Sequence, residues 1–183
     1  MAYTGTRNFV ENATDMGANP TIAKNPDSTT TPELPNTSTQ LGTTMWGSNG
    51  SAYVYCVANG TINQDDFVVV LGIGDGFSLN FTASSITGAN SRSKIGAWVG
   101  KADCAATTGQ YLWVQRLGVG VAGNYGTISG SYTTLHSTTT AGSLSTSSVA
   151  GTTSAIAGIV TNGGVSNGGT QCLLSNGYVS AND

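Results

Sequence analysis

The sequence predicts an all-β protein, a small β-barrel or sandwich body preceded by an extended N-terminal arm. Three observations predict it. From Met45 onward, short runs of β-branched and aromatic residues recur between Gly- and Asn-bearing turns. No segment sustains the 3.6-residue apolar period of an amphipathic helix. All four prolines fall at Pro20, Pro26, Pro32 and Pro35, ahead of that pattern.

The arm is expected over residues 1–44. Its apolar residues are sparse and aperiodic: Tyr3, Phe9, Val10, Met16, Ile22 and Leu34. Proline removes a backbone donor and biases the preceding residue toward extended conformations, so the segment reads as extended chain without its own core. Two readings fit that composition, a disordered tail and an arm that orders on a partner surface. On the second, Tyr3, Arg7, Phe9, Ile22 and Leu34 are the expected contact residues.

The body is expected over residues 45–183, one domain with a single core. Asn49-Gly50 is a strong hairpin signal. It leads into a strand over Ser51–Val57 that Asn59-Gly60 closes. Phe67 to Leu71 (Phe-Val-Val-Val-Leu) is continuously apolar and β-branched, as in a strand covered on both faces. Residues 83–90 have room for one short helix. Strands are expected over Ile95–Val99 and Gln110–Leu117. In the second, alternation places Tyr111, Trp113 and Gln115 on one face, and Leu112, Val114 and Arg116 on the other. Tyr132–His136, Ile156–Val160 and Gln171–Leu174 continue the series, with Gly163-Gly164 and Gly168-Gly169 between the last two. The low-complexity run 133–153 reads as long loops and edge strands.

Charged residues make up 8% of the chain, against about 25% in ordinary soluble domains. A polar but scarcely ionic surface can pack on neighbours without desolvating many charges, which suits a multi-subunit assembly. The net charge is −3, and the six Lys and Arg are scattered. Nucleic acid is therefore not an expected partner, because such binding needs clustered cations. No run approaches the length of a membrane span, and the start lacks the apolar core of a secretory signal. A soluble protein made in a cytoplasm is expected, with no membrane partner. Cys56, Cys104 and Cys172 have no metal-ligand spacing. Cys56 and Cys172 lie in apolar runs and are expected to be buried free thiols.

Few residues suggest chemistry. Gly118-Val-Gly-Val-Ala-Gly123 matches the dinucleotide-binding pattern, but strand and turn residues follow it, and no acid lies between Asp103 and Asp183. Its glycines are expected to permit a bend or bulge. His136, the one histidine, is expected to be structural or exposed. Asp65-Asp66 follows Asn63-Gln64 and reads as a turn or strand cap, with weak cation binding as the alternative. Trp46, Tyr53, Tyr55, Trp98, Tyr111 and Trp113 are either core or a sugar-stacking platform, and core packing is the simpler reading. No catalytic residues, cofactor or metal site are expected.

Two stretches carry a resemblance. The first, residues 41–70, contains Leu41-Gly42, Gly47-Ser48-Asn49-Gly50-Ser51, Tyr53-Val54 and Ala58-Asn59-Gly60 before an apolar strand. The second, residues 95–121, is centred on Gly109-Gln-Tyr-Leu-Trp-Val-Gln-Arg-Leu-Gly118, and Ala155–Val160 and a Gly/Asn-rich break follow it. Over residues 40 to 180 the pattern resembles a family of tailed-bacteriophage head proteins, the capsid decoration or cement proteins. The resemblance implies a barrel-like, non-enzymatic virion subunit, made in the host bacterial cytoplasm. Its implied partner is the major capsid protein, on the outer capsid surface, which it stabilises. Lattice symmetry then implies a homo-oligomer, a trimer on three-fold positions or a dimer on two-folds. The Pro-bearing arm departs from the pattern, so arm and barrel are both candidates for the principal capsid contact. A receptor- or glycan-binding virion protein is the alternative function.

Overall fold

The computed structural model describes residues 21, 23, 41–47, 50–73, 79–129, 134–161 and 171–182. Among the described residues ten strands and one short helix follow in order: β1 (Thr44–Trp46), β2 (Ala52–Ala58), β3 (Phe67–Ile73), β4 (Leu79–Ser85), α1 (Gly88–Arg92), β5 (Trp98–Ala102), β6 (Tyr111–Ala122), β7 (Leu135–Ser137), β8 (Leu144–Ser145), β9 (Ser154–Thr161) and β10 (Gln171–Asn182). The protein is all-β, as the alternation of short apolar runs and turns requires.

The first five long strands close a ring. β2 pairs in parallel with β4, β4 antiparallel with β3, β3 with β5, β5 with β6, and β6 returns to β2. A five-stranded barrel is narrow, so its interior holds small and β-branched side chains. Val54, Cys56, Ala58, Val68, Val70, Ala83, Ala102, Leu112 and Val114 fill it. Gly100 also belongs to that wall, because a Cβ there would lie 2.5 Å from the Gln115 carbonyl oxygen. Phe81, Trp98 and Ala23 are half-buried against the same cluster.

The alternate residues of β3 and β5 face away from the barrel. Phe67, Val69 and Val99 form a second core with Leu135, Leu144, Ile156, Ile159, Leu174 and Val179 of β7–β10. β10 makes this second layer continuous with the barrel. Its first half pairs with β6 (Gln171↔Ala122 to Ser175↔Leu117), and Gly177 and Tyr178 pair with Val99 and Trp98 of β5. β10 thus enters where β5 and β6 diverge, beyond their own pairing at Lys101↔Gln115 and Ala102↔Val114. A third, aromatic cluster lies outside the barrel, where Met45 of β1 packs on Tyr53, Tyr55 and Trp113.

Several local features match the sequence. Val68 and Val69 are both fully buried, in different cores. The faces of β6 separate as alternation requires, with Tyr111 and Trp113 in the aromatic cluster and Leu112 and Val114 in the barrel. The glycine run after β6's aromatic stretch is a bulge: Cys172 pairs with Val121 and Leu174 with Gly118, one extra residue on β6. Cys56, Cys104 and Cys172 are buried thiols, none of them in a disulfide.

Other features differ. Ala83 to Ser85 finish β4, because β3 offers a paired edge (Val68↔Ser85 to Leu71↔Thr82), and the helix begins only at Gly88. Its start is a capping box: Thr87 Oγ1 accepts the Asn90 amide at 3.1 Å, and Asn90 Oδ1 accepts the Thr87 amide at 2.9 Å. Ile95 and Gly96 form a turn, and β5 starts at Trp98. Leu41 to Thr43 are already attached to the sheet: the Gly42 amide donates to the Tyr55 carbonyl, and the Tyr55 amide to that of Thr43.

Candidate functional site

The contact residues expected from sequence, Tyr3, Arg7, Phe9, Ile22 and Leu34, lie outside the described residues. Within the described residues, the groups that suggested chemistry are engaged by the fold itself.

Asp65 and Asp66 terminate the β2–β3 connection. Asp65 takes a left-handed φ of 68°, which turns the chain so that the two carboxylates diverge. The Asp66 carboxylate is buried and accepts the Asn63 amide at 2.9 Å and the Ser85 hydroxyl at 2.8 Å, tying the turn to β4. Asp65 instead reaches the Lys101 ammonium at 2.9 Å. Lys101 is buried and also bonds to the buried Asp103. Burial alone would lower the Lys101 pKa, but the two carboxylates more than offset it and hold it above the ordinary lysine value. The pair therefore acts as a turn and an internal ion cluster.

A buried hydroxyl cluster also joins elements of the fold. Ser91 of α1 lies 2.9 Å from the Ser137 hydroxyl of β7 and 3.1 Å from that of Ser154 of β9, all three fully buried. This knot fastens the helix to the second layer. His136 sits between buried Leu135 and Ser137, directed to the other face of β7. Within the second core, burial raises the Cys172 thiol to about 11 although Tyr125 and Lys101 pull it down. Burial raises the Tyr125 phenol as well. A thiol held neutral is a poor nucleophile. Among the described residues no group of three or more His, Cys, Asp and Glu side chains could hold a metal ion. No helix among them is long and apolar enough to cross a membrane.

The six aromatics divide. Tyr53, Tyr55 and Trp113 are buried, with Tyr55 stacked on Tyr111 at 5.6 Å and 11° and tilted on Trp113 at 4.9 Å. These are core residues. Trp46, on β1, is 58% exposed. Trp98 is half-buried at one end of the barrel.

Several exposed or half-buried side chains meet around that end. Trp98 and Tyr178 are cross-strand partners, so their side chains lie on one face. The Arg116 guanidinium lies 5.8 Å from the Trp98 ring centroid, and its Nε donates to Asn176 Oδ1 at 2.8 Å. Lys94 and Ile95 line an open depression of about 610 Å³ beside Trp98. Ile95 and Tyr178 are both exposed. Sequence reading missed this grouping because it placed Ile95 inside a strand and ended the last strand at Leu174. No simple alternation carries that signal: Cys172 and Leu174 are buried, and a register shift at Asn176, whose φ is +50°, changes the phase so that Gly177 and Val179 turn inward and Tyr178 outward. A second groove of about 260 Å³, lined by hydroxyls such as Thr127, Thr140, Ser143 and Ser145, lies near β7 and β8. Its Ser145 hydroxyl is already donated to the Thr127 carbonyl at 2.8 Å.

Compared with protein-family models, with curated proteins and with solved structures, the chain finds no match.

Proposed function

We propose that the chain is a structural subunit of a tailed-phage virion, a decoration protein that binds the outside of the major capsid protein lattice and stabilises the head. The observation that carries the reading joins sequence to fold. The two stretches that bear the resemblance are one structural unit: β2 and β6 pair in register from Val57↔Tyr111 to Tyr53↔Gln115, with β1 along β2. The residues of the pattern thus build the barrel wall and the aromatic cluster outside it, a frame for presenting a surface.

The polar groups of the described residues support the same role, since each cluster is used to join strands, turns and helix. A weak contact suffices for such a subunit, because many copies act together on a closed lattice. The free protein is a symmetric oligomer on this reading, a trimer or, failing that, a dimer. The experiment is co-sedimentation with purified shells that lack the protein, with light scattering of the free chain. Saturable pelleting with the shells supports the reading; none at any concentration refutes it.

The alternative, a receptor- or glycan-binding virion protein, is favoured by one observation, the exposure of Trp46 on the short edge strand. Loss of glycan binding in a folded Trp46→Ala variant would establish it.

A further inference from the structure

The end of the barrel at Trp98 combines exposed apolar surface with two cations that no described carboxylate pairs. The described carboxylates are Asp65, Asp66 and Asp103, and the fold uses all three: two hold Lys101, and Asp66 holds Asn63 and Ser85. Lys94 and Arg116 have no carboxylate partner among the described residues; Arg116 has only the neutral Asn176 and the Trp98 ring. Ile95, 58% exposed, lines the depression with Lys94 and Trp98, and Tyr178, 46% exposed, pairs with Trp98 across the strands.

Exposed aromatic and aliphatic side chains accompanied by an arginine and a lysine are a composition that favours protein docking, where Trp, Tyr and Arg carry most of the binding energy. Two cations would release too few counterions to hold a nucleic acid. Charge complementarity selects the occupant: an apolar protein surface edged with Asp or Glu side chains.

We infer that this barrel end, Lys94, Ile95, Trp98, Arg116 and Tyr178, is the seat for an acidic-rimmed apolar surface of a partner protein. This rests on the function proposed above, under which that surface belongs to the outside of the capsid lattice. Tyr178 would fill an apolar hollow, with Arg116 and Lys94 meeting carboxylates at its edge. The rim charges would make binding sensitive to salt.

The test titrates shells that lack the protein with the wild-type chain, K94E/R116E, Y178A and W46S, at low and high salt. Circular dichroism and thermal midpoints establish which variants are folded. K94E/R116E and Y178A are expected to bind at least about tenfold more weakly. W46S, on β1 and outside this patch, is expected to bind as wild type does. Salt is expected to weaken wild-type binding and to strengthen that of K94E/R116E, by screening the repulsion between the new carboxylates and the acidic rim. Should the double variant not fold, K94E alone, on the turn after α1, carries the same comparison. Wild-type affinity in folded K94E/R116E, or in K94E alone where that variant carries the test, overturns the seat and leaves shell binding standing. Bare shells with the wild-type chain overturn the shell-binding reading and the seat with it. Binding to soluble bacterial surface polysaccharide that is lost in Y178A makes the occupant a glycan and overturns the inference.

Discussion

Val68 and Val69 are adjacent in sequence and both fully buried, yet they belong to different cores, Val68 inside the barrel and Val69 beneath β9 and β10. β3 is therefore the wall shared by the two layers. Val68→Ala and Val69→Ala each remove two buried methyl groups and leave a small cavity, at a cost of about 2–3 kcal/mol. Because one strand carries both residues, each change is expected to shift the same single unfolding transition. Calorimetry of the two variants checks this; two separated transitions in either would mean that the layers unfold independently.

Gly142 is fixed by Asp66. Its φ is +75°, and a Cβ there would lie 2.1 Å from the Asp66 carboxyl carbon. Gly142→Ala must displace the carboxylate from Asn63 and Ser85 and strand buried polar groups, so a loss of about 3 kcal/mol or more is expected. Gly109 has φ +85° and open space around it, so Gly109→Ala should cost only about 1 kcal/mol. Urea midpoints of the two variants measure the difference. Equal losses would mean that the carboxylate is not the constraint.

Stability is expected to fall in alkali. The Cys172 thiol ordinarily ionises near 9.0 and is raised to about 11 in the fold. The unfolded chain therefore loses its proton first as pH rises. The stabilisation from keeping this thiol neutral is whole below pH 9 and gone above about 11, at about 1.4 kcal/mol per pH unit between them. Lys101, also raised, loses its contribution above its folded value. Cys172→Ala should make the fall between pH 9 and 11 less steep while costing little at pH 7, the slope that remains coming from the buried Cys56 thiol and Tyr125 phenol, which burial also raises. Denaturant midpoints across that range measure it; a slope unchanged by the substitution would show that the thiol is not held neutral.

The arm is tested by truncation. Gly42 and Thr43 bond to Tyr55, so the cut that spares the sheet removes residues 1–40. The truncated chain is expected to keep its near-ultraviolet circular dichroism and to bind shells several-fold more weakly. Unchanged occupancy would assign the principal contact to the barrel.

Most of the wall was legible in the residues. Phe67 to Val70 announce a doubly covered strand because every position is apolar, and β6 shows its two faces because aromatic and aliphatic residues alternate. β4 was not legible: Ala83, Ser84 and Ser85 have weak β-propensity, and only the paired edge of β3 makes them a strand. The order of strands around the barrel depends on long-range pairing such as Val57↔Thr82, which no local signal encodes. The basic, apolar barrel end was hidden for the same reason, since Lys94, Arg116 and Tyr178 are brought together only when β10 enters between β5 and β6.

Imaging tests the central claim most directly. Shells lacking the protein would be incubated with an excess of the chain and reconstructed by electron cryomicroscopy beside untreated shells. The expected result is added density of barrel size on the outer surface at symmetry-related sites, absent from the untreated shells. Identical reconstructions at saturating protein would contradict it.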